Sequence, residues 1–243
     1  SLCIMGAPIS AGAQVSNVPE LPREQVDTAY PAATGATLRV PAGGNLQAAL
    51  NQASPGDTVV LEAGATYVGN FVLPAKSGAS YIVIRTSALG ALPPEGTRVT
   101  ASNAGAMARV LTPNSAPAIA TAPTAHHYRL VGLEIGIAPG VALNYGIVAL
   151  GDSSSAQNEL SEVPHHLVVD RCYVHGNPTG NARRGIALNS AASAVVDSFV
   201  SECHEVGADS QAICGWNGPG PFKIVNNYLE GAGENVLFGG ADP

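Results

Sequence analysis

Charge is scarce in this chain of 243 residues: only 12% are Asp, Glu, Lys or Arg, and lysine occurs just twice, at Lys76 and Lys223. The 11 basic residues are scattered, the formal net charge is −7 and the pI is near 5.2. A concentrated Lys/Arg surface for nucleic-acid phosphates is therefore excluded. No apolar run reaches the about 20 residues that a membrane span needs. Only four cysteines occur, and no CxxC or Cys/His finger spacing is present, which removes structural zinc of the finger type. GxSxG, Walker, HExxH and dinucleotide-binding signatures are also missing. Nothing in the hydrophobic periodicity suggests a helix longer than about ten residues.

Turn formers and branched apolar residues are plentiful instead. With 28 glycines, 18 prolines and 46% hydrophobic residues, the chain reads as many short strands broken by turns, with apolar content enough for a substantial core. Residues 1–13, "SLCIMGAPISAGA", resemble the remnant of a secretory signal with a small-x-small cleavage site. On that reading the protein is expected to be secreted. Residues 14–36 read as an extended lead-in and residues 37–243 as one repeat domain. Cys3 lies in the signal-like run, so Cys172, Cys203 and Cys214 can form at most one disulfide, buried unpaired thiols being the alternative.

The domain opens on a short helix capped by Asn45, with Leu46, Ala49 and Leu50 on one face and Ser54-Pro55-Gly56-Asp57 as its stop. Internal repetition dominates the remainder of the chain. "HHYRLVGLEIG" from His126 lies over "HHLVVDRCYVHG" from His165, so that Leu130 meets Val169, Leu133 meets Cys172 and Ile135 meets Val174. The same frame puts Val196 and Val225 under Val169, and Phe199 and Tyr228 under Cys172. A second apolar series runs through "GIVALG", "GIALNS", "QAICGW" and "NVLFGG". The intervals of 39, 27 and 29 residues suit successive turns of a right-handed parallel β-helix, with Gly132, Asp170-Arg171, Asp197-Ser198 and Asn226-Asn227 at one bend. His126-His127 and His165-His166 then enter neighbouring rungs; four imidazoles there are within reach of a transition metal, but adjacent histidines at a turn usually point different ways into solvent. The sequence ends at "NVLFGGADP" in mid-pattern, from which further coils after Pro243 are expected.

The stretches "NLQAALNQASPGDTVVLEAGATYVGNFVLP" and "HEVGADSQAICGWNGPGPFKIVNNYLEGAGENVLFGGADP" resemble the right-handed parallel β-helix proteins of the pectate-lyase-like superfamily, including secreted bacterial β-helix repeat proteins. The resemblance covers roughly residues 37–243. It implies secreted chemistry on polysaccharides, often uronate polymers, as a lyase or glycoside hydrolase, or a non-catalytic glycan-binding or adhesion module on the same scaffold. Alginate lyases of this shape use a Lys and Arg pair with calcium held by acidic and amide side chains. No coil here displays a Lys beside an Arg.

Residues 175–211 hold the densest set of ionisable groups. Arg183 or Arg184 is assigned to a substrate carboxylate, and His204 or His175 to proton transfer; Glu202, Glu205 and Asp209 take a calcium or general-acid role. Asn177 and Asn181 flank this set, and Trp216, the only tryptophan, either stacks on a sugar ring or covers the core beneath a loop. The competing structural reading pairs Arg184 with Asp209 across rungs and makes His204-Glu205 a turn. Glu234, Asn235 and Asp242 extend the same side by a coil. A monomer with a polysaccharide ligand is the expected form.

Overall fold

Three strands of three to six residues recur from winding to winding, and each pairs only with its counterpart one winding away. A computed structural model describes residues 24–240. One sheet stacks Thr37–Val40, Thr58–Leu61, Ile82–Thr86, His126–Val131, His165–Asp170, Ser193–Val196 and Phe222–Val225 in that order. A second stacks Thr66–Val68, Ala108–Thr112, Leu133–Ile137, Tyr173–His175, Phe199–Cys203 and Tyr228–Gly231. The third stacks Phe71–Leu73, Ile119–Thr121, Val148–Leu150, Arg184–Leu188, Gln211–Gly215 and Glu234–Phe238. Every ladder is parallel. Crossovers between parallel strands wind to the right, and the chain is a right-handed parallel β-helix.

The bend from the first sheet to the second is made by one left-handed residue per coil. Gly132, Arg171, Asp197 and Asn226 occupy it, with φ of 62°, 46°, 52° and 56°. Three of the four are types that tolerate this region; Arg171 is not. Its place corrects the frame expected from sequence, because Val169 pairs with Val195 and Asp170 with Val196. The interval is therefore 26 residues, not 27, and Val196 and Val225 stand under Asp170. The two Asp residues that suggested the longer interval do different jobs: Asp197 makes the bend, whereas Asp170 precedes it. Asp170 accepts from Arg129 Nη2 at 2.7 Å and from Arg171 Nε at 2.8 Å, both within the protein. Those paired charges hold Arg171 in a conformation that its side chain alone disfavours.

Apolar columns fill the cylinder. Ile84, Leu130, Val169 and Val195 stack in register, all at most 2% exposed. The helix Leu46–Gln52, whose Ala48 amide donates to the Asn45 cap, packs Leu46 and Leu50 into one end of the stack. Cys172, Cys203 and Cys214 are free and buried, so no disulfide joins them. Burial pushes the thiols of Cys172 and Cys203 up to about 12. Cys3 and the signal-like run lie outside the described residues, and among those described no helix is long and apolar enough to cross a membrane.

Long connections decide which outer face stays open. The lead-in lies on the first sheet: Val26 packs with Val168, Ala194 and Val196, and Arg129 Nη1 donates to the carbonyls of Thr28 and Ala29. Beside the third sheet, Asn217 Nδ2 donates to the carbonyls of Asp152, Ser154 and Gln157 and so pins the 151–164 loop. Residues 87–107 form a strap along the bend between the first and second sheets. Its Gly96 amide donates to Asp197 Oδ2 at 2.7 Å, and its Arg98 to the carbonyl of Asn227. The second sheet forms the floor between this strap, whose Leu92, Val99 and Met107 pack against Tyr173 and Phe199, and the loops that lead to the third sheet, a shallow groove.

Candidate functional site

The side chains singled out in residues 175–216 divide among three places. Arg183 binds Glu205 through both carboxylate oxygens, at 2.5 and 2.8 Å, with its guanidinium 5.1 Å from the Tyr145 ring. That bidentate bond holds the Glu205 carboxyl below its usual range. Arg184 goes elsewhere: it lies 4.8 Å from the Trp216 ring, on the third sheet, and its buried Nε has no hydrogen-bond partner. Arg184 has Trp216, not Asp209, as its neighbour; Asp209 is exposed. Trp216 Nε1 donates to the Ser153 carbonyl, and the residue lines a hollow of about 390 Å³ with Gln157, Asn158 and Leu160.

Asn177 and Asn181 serve the backbone. Asn177 Oδ1 accepts from the Gly180 amide at 2.6 Å and Asn181 Oδ1 from the Val206 amide at 3.1 Å. His204 Nε2 stands 3.6 Å from Glu202. Glu202, Glu205 and Asp209 are thus not gathered at one point: among the described residues they form no group with all ligand oxygens within 4.8 Å. As placed, these three carboxylates do not fit one shared calcium ion. Glu234 accepts from Gln211 at 2.8 Å, and Asn235 from the Gly231 amide. Asp242 lies outside the described residues.

His175 is the one predicted catalytic residue on the open second sheet. Alternation along the short strands puts Val110, Ile135, Val174 and Val200 inside, all 0% exposed. The residues just before them form an outward row in register: Arg109, Glu134, Tyr173, Phe199 and Tyr228. Parallel rungs space these side chains about 4.8 Å apart along the groove. A second outward row passes through Gly136, His175 and Ser201.

Contacts within the rows tie three coils together. Glu134 lies between Arg109 Nε at 3.6 Å and His175 Nε2 at 3.2 Å. His175 Nδ1 is 2.6 Å from the Gly176 carbonyl, which fixes a hydrogen on that nitrogen and aims Nε2 at Glu134. Gly136 makes room: a Cβ there would sit 3.0 Å from the His175 carbonyl oxygen and 3.4 Å from its ring. The Tyr173 ring stacks on His175 at 4.2 Å, and Phe199 stacks on Tyr228 at 4.3 Å. Burial raises the Tyr173 phenol pKa, partly offset by a hydrogen bond with Ser201. Arg109 remains 47% exposed while Glu134 is 13% exposed, so the cation is the group that meets an incoming ligand.

Sequence reasoning passed over Arg109, Glu134 and Tyr173. The signal available was the alternation in "ARVLT", "LEIGI" and "CYVHG", where one outward residue precedes each inward Val or Ile.

No protein-family model and no curated protein matches this chain. Among solved structures, an alginate lyase from Paenibacillus sp. str. FPU-7 is similar at 15% identity and a TM-score of 0.49, over 84% of this chain and 66% of its own length. AlyGC, a PL6 family alginate lyase, is similar at 14% identity and a TM-score of 0.41, over 94% of this chain and 32% of its own. This chain therefore spans less than two thirds of either.

Proposed function

We propose that the chain is a secreted polysaccharide lyase acting on a uronate-containing polymer laid along the second sheet. The observation that carries the reading is the in-register row Arg109, Glu134 and Tyr173, with His175 bonded to its centre. Lysis removes the proton next to a sugar carboxylate and expels the glycosidic oxygen one carbon further on. Three functions are required: a cation for the carboxylate, a base and an acid.

Arg109 meets the substrate carboxylate, taking it in place of Glu134. Glu134, released from that pair, accepts the ring proton and shares it with His175 Nε2. The C–H electron pair becomes the new carbon–carbon double bond as the C–O bond to the leaving sugar breaks. Tyr173, kept protonated by burial, gives its proton to the departing oxygen and is reprotonated from water. Tyr228, 40% exposed beside Phe199, offers ring surface to the next sugar along the groove. Export of the chain accords with the signal-like run at residues 1–13 and with a polymeric substrate.

Incubation with alginate, pectate and related polymers should generate the near-ultraviolet absorbance of an unsaturated uronate. Arg109→Ala, Glu134→Gln and Tyr173→Phe should each lower kcat/KM by roughly 10²–10⁴-fold. New reducing ends without that absorbance would make the chain a hydrolase. Polymer binding with neither product would make it a glycan-binding module, for which the aromatic row suffices.

A further inference from the structure

The rings of the two histidine pairs are not splayed apart, and of the four His166 alone is exposed. His127 and His166 adopt left-handed φ of 58° and 54°, which breaks the strand alternation and turns both rings of each pair to the same side. Within a pair the Nδ1 atoms face each other, at 2.8 Å for His126 and His127 and at 2.7 Å for His165 and His166. Between coils the rings stack, His126 on His165 at 4.8 Å and His127 on His166 at 4.5 Å, within 8° of parallel. Four imidazoles from two adjacent rungs thus share one corner, with the Tyr81 ring edge-on to His127.

The geometry points to a binding site for one divalent transition-metal ion, held by His126, His127, His165 and His166 and joining the two coils. Ligand atoms of His127, His165 and His166 already lie within 4.8 Å of one another. Two imidazole nitrogens under 3 Å apart cannot both present lone pairs to an empty gap. A proton must sit in each gap, or one cation must replace both. Zinc lies about 2.0–2.1 Å from an imidazole nitrogen, so tetrahedral ligands stand about 3.3 Å apart. Loading the site needs each pair to open by about half an ångström and the two pairs to draw together, within the reach of side-chain rotation.

The donor set selects the ion. An all-imidazole group with no carboxylate suits Zn²⁺, Ni²⁺ or Cu²⁺ and disfavours Ca²⁺ and Mg²⁺. Access exists through a hollow of about 440 Å³ lined by Lys76, Thr124, Ser161, His126 and His165. The site is distinct from the groove on the second sheet and stands whether or not the lyase reading holds.

The untagged chain, stripped with chelator and dialysed against Zn²⁺, should retain about one ion and gain thermal stability. His127→Ala and His166→Ala should each weaken binding more than tenfold, and the double variant should abolish the thermal shift. X-ray absorption on the Zn²⁺-loaded wild type gives a readout that does not depend on the variants folding, and should show a shell of imidazole nitrogens. Equal Zn²⁺ retention by the wild type and the double variant, no retention by the wild type, or a shell dominated by oxygen would overturn the site.

Discussion

Arg183 illustrates how one ion pair constrains a loop. Glu205 follows the second sheet by two residues, and the fork of Arg183 clasps it from the preceding coil. The Glu205 carboxyl is depressed in the folded chain, so its contribution to stability is complete above its ordinary pKa near 4.5 and fades as pH falls through the folded value. Arg183→Met should therefore cost about 1 kcal/mol at neutral pH. It should also blunt the loss of stability between neutral and strongly acidic pH, as read from urea midpoints across that range. Lyase activity should change by no more than about threefold, since Arg183 lies off the groove row; a loss of the size expected for Glu134→Gln would restore Arg183 to the chemistry. A dense stretch of ionisable residues was legible in the sequence. Which side of a coil each side chain takes was not, because Arg183 and Arg184 are neighbours in the chain yet end on different loops and partners.

At the level of the elements, the bends and the strap carry the groove. Gly132, Asp197 and Asn226 were readable as bend residues because their types tolerate left-handed φ. Asp170-Arg171 was read at the bend too, but not that Arg171 is the residue that turns, because its conformation is imposed by Asp170 and by the carbonyl of Pro93, 78 residues away. The strap was equally silent: "SALGALPPEGTRVTASNAGAM" has no apolar period, and its position is set by hydrogen bonds to coils far along the chain. Asp197 joins both roles, making the bend and binding the Gly96 amide. Asp197→Gly keeps the left-handed backbone at no steric cost but removes the carboxylate. The expected result is faster amide hydrogen exchange around Gly96, unchanged exchange in the strands, and a stability loss of about 1–2 kcal/mol. Because the strap walls the groove, turnover should fall while the circular dichroism spectrum stays that of the wild type. Unaltered exchange at Gly96 would show that the strap is held by other contacts.

For the molecule as a whole, a solenoid has no centre, and each coil draws stability from the two coils beside it. The apolar repeat made this architecture legible from the spacing of short Val, Ile and Leu runs, down to a one-residue slip at Val195. What spacing did not convey is how unevenly the coils are covered. Leu130 has Ile84 on one side and Val169 on the other and is 2% exposed. Val72, on the outer face of Phe71–Leu73, pairs with Ala120 and is 41% exposed. Leu130→Ala leaves a void between two fixed rungs and should cost about 2–5 kcal/mol. Val72→Ala removes methyl groups that water already reaches and should cost less than half as much. Hydrogen exchange under native conditions should quicken in His126–Val131 and its two neighbouring strands in Leu130→Ala and stay at the wild-type rate in Val72→Ala. Equal costs for the two substitutions, with uniform exchange along the coils, would mean that the helix unfolds as one block and that stability here is not a sum over neighbouring windings.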